Sequence, residues 1–325
     1  MKVNELPARS RRRHSWVSLG ISFISVLWLG WGCGGGASPL GPHSGRAWTN
    51  SLGMVFVPVN GTRILFCIWP TRVQDFTAYV QATGYQTPKG LTITRHLAPD
   101  NHWKTEERTD RDWQNPGFVQ GPTHPVIGVN WEDAHAFCSW LTGTERKLGL
   151  LGRRQLYRLP TYREMMAALG YEEPKASSRR NARNSAQMDS PPAQDWFTPE
   201  IMATARNFFP WGNQWPPPKG AANIADRSFH GKYASSGECY LAGYEDGFPE
   251  TSPVGNFSPN ACGLFDMAGN VKVWSESMAY DGVSRAPRCT GSSWRTSAPE
   301  ELASYAEGGT DRDDDTGFRC VIVLN

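Results

Sequence analysis

The sequence predicts an α+β fold that is rich in loops and has little regular secondary structure. Its 325 residues include 33 Gly and 24 Pro, a proportion typical of chains with many turns. The apolar runs at 54–59, 64–69 and 320–324 are short, and each matches the length of a single strand. The 14 Trp favour a stable core in such a chain, because each buried indole ring removes a large apolar area from water.

Three segments combine helical spacing of apolar residues with a start signal. In residues 71–80 the apolar side chains fall on one face, and Thr71 is the predicted N-cap. A second helix is predicted from Asn130, because an Asn cap is followed by acidic residues that favour the helix N-terminus. A third is predicted after Thr161, which begins a Thr-x-x-Glu capping box.

Residues 1–33 have the form of an export signal. Three arginines, Arg11 to Arg13, precede an uncharged and largely apolar run at 15–32. Cys33 follows this run, as in a bacterial lipoprotein signal in which the cysteine carries the lipid, and an ordinary signal peptide that ignores Cys33 fits equally well. The Gly, Pro and Ser of 34–46 predict a flexible tether. We therefore expect a periplasmic, envelope-lipoprotein or secreted protein that meets a membrane only through its N-terminal signal, anchor or lipid.

Residues 47–325 are predicted to form one domain. A stretch at about 171–206, rich in Ser, Arg, Asn and Pro, predicts a mobile surface insertion within it. Beyond residue 33 the chain has 28 basic and 30 acidic residues, a net charge of −2. Nucleic acid is therefore not an expected partner, because such binding requires an excess of positive charge.

Ten short blocks follow one another along this domain, and together they carry a family resemblance. The blocks are Asn50–Val59, Thr71–Phe76, His124–Ala134, Tyr157–Thr161, Phe209–Asn213, Ala222–Ile224, Asp246–Gly255, Gly263–Val271, Gly291–Trp294 and Gly317–Cys320. In this order they are similar to the formylglycine-generating-enzyme domain, also called the sulfatase-modifying-factor domain. The resemblance implies that family's fold, an α+β structure with little regular secondary structure that is related to C-type lectins.

The resemblance implies a structural calcium site built from two loops. Its ligands map onto the side chains of Asn223 and Asp246 and the carbonyl oxygens of Ile224 and Phe248, and all four positions match. Calcium prefers six to eight oxygen ligands, which two such loops can supply in part.

A second calcium site of the family maps onto Asp266 and the carbonyl oxygens of Gly269 and Val271. Its acidic ligand falls at Val273, which cannot bind a metal ion, and Lys272 adds a positive charge beside it. This site is therefore doubtful in this chain. Asp311 to Asp315 also carries alternating carboxylates, but no bidentate Glu follows, and we interpret the stretch as a solvated acidic turn.

The family oxidises a cysteine of sulfatases to formylglycine with copper(I) held by two thiolates. The two copper-binding cysteines of the family correspond to Thr296 and Glu301 here, and no Cys lies between Cys289 and Cys320. Neither a hydroxyl nor a carboxylate replaces a thiolate for copper(I). Copper is therefore not an expected cofactor, and no catalytic residue is assigned.

The remaining cysteines suit an exported structural protein. The resemblance implies a disulfide between Cys138 and Cys320. Four further cysteines can pair in three ways, and spacing does not choose among them. They are Cys67, Cys239, Cys262 and Cys289.

Three functions are compatible with these observations. The first is a non-catalytic binding module for a peptide, a glycan or an envelope protein, because the thiolates are lost from a scaffold with many loops. Its binding surface is predicted where the family's cleft lies, at Trp294, Arg295, Thr296, Glu301 and Tyr305. The second is a formylglycine-generating oxidase that uses a different site. The third is a structural lipoprotein of the cell envelope.

Overall fold

The computed structural model describes residues 41–98, 102–170, 209–280, 285–298, 306–308 and 311–324. At residues 279, 280, 285 and 306–308 it describes the backbone alone. Several sequence predictions lie outside these residues: the signal with Cys33, the tether up to residue 40, the insertion, Glu301 and Tyr305. In the part of the chain that is described, none of the helices has the length and hydropathy that crossing a bilayer requires.

The elements are short and alternate without a simple repeat. The strands are β1 (Trp48–Thr49), β2 (Val55–Pro58), β3 (Ile64–Cys67), β4 (Leu91–Leu97), β5 (His102–Arg108), β6 (Leu156–Arg158), β7 (Lys272–Tyr280), β8 (Arg285–Thr290), β9 (Ala306–Gly308), β10 (Thr316–Phe318) and β11 (Val321–Val323). The helices are α1 (Val73–Thr83), α2 (Trp131–Lys147), α3 (Tyr162–Leu169) and α4 (Arg227–Tyr233), and α4 runs into a 3₁₀ turn at Ala234–Ser236. This mixture confirms the predicted loop-rich α+β class.

The central sheet brings both ends of the domain together. Its strand order is β1-β2-β3-β11-β6, and every neighbouring pair is antiparallel. The predicted runs at 54–59, 64–69 and 320–324 form β2, β3 and β11. All four residues of β3 are buried, as expected for a short apolar run at the centre of a sheet.

All three predicted helices form, and two of their caps are confirmed. The side chain of Asn130 accepts a hydrogen bond from the Asp133 amide, and Thr161 closes its capping box with Glu164. The cap predicted for α1 is wrong by one residue. The N-cap is Arg72, whose amide and guanidinium both donate to Asp75. The Thr71 amide instead donates to the carbonyl of Phe318, which fixes Thr71 to the C-terminal strands.

A second sheet carries the loop that follows β8. Its strand order is β10-β7-β8-β9, and β7 and β10 are parallel. At Gly317 in β10 a Cβ atom would overlap the carbonyl oxygen of Val126. Gly317 therefore allows the two backbones to approach more closely than any side chain would permit.

Strands β4 and β5 form a separate hairpin that the sequence analysis did not identify. Leu91 and Ile93 are buried against the domain, whereas most of β5 is exposed. The hairpin lies against the segment after α4, because the amides of Ala98 and Cys239 donate to the carbonyls of Gly237 and His96. It therefore borders the region in which the functional site is expected.

Candidate functional site

The loop after β8 carries the position of the family's first copper-binding cysteine. Thr296 closes a tight turn in which its hydroxyl accepts a hydrogen bond from the Ser293 amide at 3.0 Å. Its own amide donates to the Ser293 carbonyl, and its carbonyl accepts from the Ala225 amide. Thr296 is buried, so its side chain stabilises the turn and offers no metal ligand.

The prediction that Trp294, Arg295 and Thr296 form a binding surface is wrong. Trp294 is fully buried, and its ring packs against the rings of Phe118, Phe229 and Tyr233. Its indole N–H donates to the Asp314 carbonyl at 3.3 Å. A tryptophan with its ring enclosed and its N–H bonded is a core residue, and a partner cannot reach it.

Arg295 is the centre of a buried network of charges. Its Nε and Nη2 atoms bind the two carboxylate oxygens of Asp314 at 3.1 and 2.8 Å, and Nη1 binds Glu238 at 2.7 Å. The guanidinium also lies 4.1 Å from the centre of the Trp294 ring. The pKa of Arg295 is raised by Asp314 and Glu238, which overcome the opposing effect of burial. Arg295 is therefore a permanent cation inside the fold.

The acidic turn at 311–315 is part of this network, so its interpretation as a solvated turn is wrong. Asp314 and Asp315 are buried. Asp315 accepts a hydrogen bond from the Ser293 hydroxyl at 2.7 Å and lies 3.5 Å from Lys272 Nζ. Burial, together with the nearby charge of Asp315, raises the pKa of Asp313 to about 8. The turn supplies counter-charges to Arg295 and Lys272.

The first implied calcium site has free oxygen atoms. The Asn223 Nδ2 atom donates to the Glu250 carbonyl at 2.8 Å, and among the described residues the buried Oδ1 atom of Asn223 has no hydrogen-bond partner. Among the described residues, none of the hydrogen bonds ends on the carbonyl oxygens of Ile224 or Phe248. Buried oxygens without donors are costly unless a cation or water satisfies them. The residues therefore fit calcium.

Charge also favours a cation at this site. The Asp246 carboxylate accepts hydrogen bonds from the amides of Ile224 and Phe248 at 2.9 and 2.7 Å, and the Asp246 amide donates to Asp226. Burial raises the pKa of Asp246 to about 7, and the neighbouring Asp226 adds to the effect. Two carboxylates that repel each other in a buried loop are stabilised by a divalent cation.

The second implied calcium site does not fit. The Asp266 carboxylate is occupied by the Gly255 amide and the Asn270 side chain, and the Gly269 carbonyl accepts from the Val271 amide. Arg319, which is fully buried, donates to the Asp266 carbonyl at 3.2 Å. The site lacks an acidic ligand at Val273 and has a guanidinium beside it, and both features oppose the binding of a cation.

Cys138 and Cys320 lie together in the core. Their Sγ atoms are 3.6 Å apart as thiols, whereas a disulfide requires about 2.05 Å. Cys67 lies across from Cys320, because its amide donates to the Cys320 carbonyl. The disulfide stays a prediction, for which the two sulfurs are suitably close. Among the described residues, no cluster of three His, Cys, Asp or Glu side chains is arranged to hold a metal ion.

The exposed rim beside the Arg295 network was missed by sequence reasoning. Trp103 in β5 is 50% exposed, and its ring stacks on His96 of β4 with centroids 4.5 Å apart. Arg95 of β4 lies 3.5 Å from Glu238, which links the hairpin to Arg295. The alternation of apolar and polar residues from Leu91 onward is the signal that could have identified this hairpin.

The comparisons with known proteins agree with these features. The model of the sulfatase-modifying factor enzyme 1-like domain matches residues 66–324. The chain belongs to this family. The matched range covers both implied calcium loops, the loop after β8 and the last strand, so nine of the ten blocks that carry the resemblance, from Thr71–Phe76 onward, are parts of one family domain.

Relatives within the family include enzymes and an inactive protein. The formylglycine-generating enzyme of Thermomonospora curvata is 28% identical over 222 residues, which cover 62% of this chain and 55% of the enzyme. The protein named inactive C-alpha-formylglycine-generating enzyme 2 of Mus musculus is 26% identical over 282 residues, covering 78% of this chain and 73% of the relative. The chain thus spans about half the length of the bacterial enzyme, and the family contains members described as inactive.

A solved structure supports the fold alone. PvdO from Pseudomonas aeruginosa superposes with a TM-score of 0.51 over 87% of this chain and all of its own, at 18% sequence identity. The loop-rich α+β fold of the family is therefore shown.

Proposed function

We propose that this chain is an exported, non-catalytic member of the sulfatase-modifying-factor family that binds a partner at the cell envelope. The observation that carries the proposal is the state of the loop after β8. Thr296 replaces a copper thiolate and is committed to a turn, and Arg295 beside it is neutralised by Asp314 and Glu238. A soft copper(I) ion finds no thiolate pair there. The inactive relative in Mus musculus is consistent with a family member without catalysis.

The partner is proposed to bind at the rim of the hairpin and not at the buried loop. Trp103 combines an exposed apolar ring with a fixed position, because it stacks on His96. Exposed aromatic rings stack on the apolar faces of sugars and on peptide side chains, and they are enriched at recognition sites. A glycan or a peptide of an envelope protein is therefore the proposed partner.

The catalytic alternative is tested with the full chain, copper(I), oxygen and a peptide that carries the sulfatase cysteine motif. Mass spectrometry detects conversion of the cysteine to formylglycine. We expect no conversion above the rate of a blank without protein. A second preparation carries Thr296→Cys, which restores only one of the two thiolate positions and is also expected to be inactive. Conversion by the unmodified chain would refute the non-catalytic function.

The binding surface is tested on glycan and peptide arrays with two matched variants. Trp103→Ala removes the ring from the rim, and Trp215→Ala removes another exposed ring, 36% exposed, that stacks on Phe209. We expect Trp103→Ala to weaken array binding about tenfold or more, as for a central aromatic contact. Trp215→Ala is expected to bind like the unmodified chain. Equal losses in both variants would show that the rim is not the binding surface.

A structural calcium ion is also proposed, at the loops of Asn223 and Asp246. These residues would hold the ion with the carbonyls of Ile224 and Phe248, and the ion would neutralise the Asp226 and Asp246 carboxylates. Binding to the folded state alone stabilises it, by about 2.7 kcal/mol when calcium is at 100 times its Kd. The Tm in calcium should therefore exceed the Tm in EDTA.

Two variants locate the calcium effect. Asp246→Asn keeps the shape of the side chain but removes its charge, and it should abolish the difference in Tm between calcium and EDTA. Asp110→Asn, at an exposed carboxylate beyond β5, should keep the difference. An unmodified chain with the same Tm in calcium and in EDTA would exclude the site.

A further inference from the structure

The end of α2 and the segment that joins it to β6 carry a concentration of positive charge that the proposed function does not use, and residues 146–155 are called the basic loop below. Residues 146–155 include four basic side chains and no acidic one. The four are Arg146, Lys147, Arg153 and Arg154, and all are exposed. Among the described residues, no carboxylate forms an ion pair with Lys147, Arg153 or Arg154. The loop is therefore a basic surface in a chain whose net charge beyond residue 33 is −2.

An exposed apolar side chain lies within this basic loop. Leu148 follows the last residue of α2 and is 58% exposed, which is rare among the large apolar residues described here. Basic side chains around an exposed leucine are the combination that binds at the surface of an anionic membrane. A solvated basic loop alone would not need the leucine.

The N-terminal end of the described chain is fixed against the same loop. Gln155 Nε2 donates to the Pro42 carbonyl at 2.7 Å. Gly41 lies so close to the loop that a Cβ atom there would be 2.8 Å from the Leu150 carbonyl oxygen. Gly41, Leu150 and Gln155 border a groove of about 470 Å³, which His43 and Arg154 also line. The chain therefore enters the domain at the basic loop.

Chain length relates this entry point to the N-terminal signal. Eight residue steps separate Cys33 from Gly41. An extended chain spans at most about 3.6 Å for each residue, so the two residues can be no more than about 29 Å apart. If Cys33 carries a lipid, the basic loop belongs to the face of the domain that the tether keeps near the bilayer.

We propose that residues 146–154 bind the headgroups of anionic phospholipids, with Leu148 entering the interface. The proposal rests on the export and envelope association proposed above. Each Lys or Arg near an anionic bilayer strengthens binding on the order of fivefold, and salt weakens this contribution because it screens the charges. The tether supplies the first attachment and the basic loop the second, which orients the domain on the membrane.

The test is vesicle sedimentation with the full chain carrying Cys33→Ala, so that no lipid contributes. One vesicle type contains phosphatidylcholine only, and the other contains phosphatidylglycerol as well. The apolar N-terminal run binds both types, and the arginines before it favour anionic vesicles in every variant. The measured quantity is therefore the change in preference for anionic vesicles that each loop variant causes. We expect a clear preference at low salt that is lost in high salt.

Two double variants that each remove two positive charges show which residues cause the preference for anionic vesicles. Arg153→Gln with Arg154→Gln should lower it about tenfold or more, and Leu148→Ser should lower it further. Lys89→Gln with Lys104→Gln removes the same charge from exposed sites elsewhere and should leave it unchanged. Circular dichroism of each variant establishes that it is folded.

Three results would overturn the proposal. They are equal binding to both vesicle types, a preference that Arg153→Gln with Arg154→Gln does not lower, and complete competition by a soluble polyanion that binds the same residues more tightly. None of them depends on formylglycine formation or on array binding. The lipid-binding inference and the non-catalytic function can therefore fail separately.

Discussion

Arg295 contacts Asp314 and Glu238 through all three of its guanidinium nitrogens and lies against the rings of Trp294 and Tyr233. Removing one partner of a buried ion pair leaves an unpaired charge and costs about 3–5 kcal/mol. Replacing a whole pair by apolar groups is often neutral, so the network does not explain the stability of the fold. Its effect is to fix the loop after β8 in one conformation, with Thr296 turned inward.

Asp313 is expected to make the stability of the protein depend on pH. Burial raises its pKa to about 8, and Asp315, Asp314 and Asp311 add to the rise while Lys272 opposes it. The pKa of Asp313 in the folded state lies above its unfolded value of about 3.9, so the full contribution of this group to the stability of the fold is present below pH 4. It is lost as the pH rises through 8, because the folded state then holds a charged Asp313 beside Asp315.

The variant Asp313→Asn imitates the protonated side chain at every pH. At pH 9 its free energy of unfolding should be at least about 1 kcal/mol larger than that of the unmodified chain, which corresponds to a pKa shift of one unit. Near pH 4 the two free energies of unfolding should be equal. Urea unfolding at the two pH values measures the difference. Asp110→Asn, at an exposed position, serves as the control. A stability difference that does not change with pH would rule out titration of Asp313.

Sequence reasoning located the site but not its environment. The block Gly291–Trp294 identifies the loop, and residue identity alone excludes copper at Thr296. The burial of Trp294 was not predictable, because it depends on rings from Phe118 and α4 that lie far away along the chain. The partners of Asp314 and Asp315 are likewise distant in sequence. An acidic run is usually solvated, but this one is buried against Arg295 and Lys272. Its interpretation as an exposed turn was therefore wrong.

At the scale of elements, the predictions that succeeded depend on local chemistry. The caps at Asn130 and Thr161 form within four residues of the chain and were correct. The cap at Thr71 was wrong because the Thr71 amide pairs with Phe318, at the other end of the domain. The parallel pairing of β7 with β10 joins residues more than 40 positions apart, and no local signal announces it.

Oxidation of Cys138 and Cys320 is predicted to tie α2 to the C-terminal strands. The sulfurs lie 3.6 Å apart, so a small rotation of the side chains brings them to bonding distance. Removing a native disulfide from an exported domain costs about 2–5 kcal/mol. Cys138→Ala with Cys320→Ala should therefore lower the free energy of unfolding by this amount under oxidising conditions, as measured by denaturant titration.

Peptide mapping without reduction identifies the pairing directly. Burial raises the pKa of both Cys67 and Cys320, so thiol acidity does not choose the partner of Cys320, and the short Sγ distance favours Cys138. Cys262→Ala, at a partly exposed thiol, is the control and should change the stability little. A map that joins Cys67 to Cys320, or that leaves Cys138 free, contradicts the prediction.

At the scale of the whole molecule, the two exposed surfaces proposed for binding differ in their chemistry. The hairpin rim offers an exposed aromatic ring, Trp103, whereas the loop at 146–155 offers only basic groups around Leu148. The chain enters the domain at the basic loop. We propose that the tether holds this loop toward a membrane while the hairpin remains available to a partner. The orientation of the domain on vesicles tests whether the hairpin remains accessible.

Lipidation of Cys33 decides whether such a tether exists. Cells that express the full chain are labelled with a fatty acid analogue, and the protein is recovered and examined for label. We expect label in the unmodified chain and in Cys262→Ala, and none in Cys33→Ala, because the lipid is predicted on Cys33 alone. An unlabelled chain whose N-terminus begins after residue 33 would instead identify an ordinary signal peptide, and the envelope association would then depend on the basic loop alone.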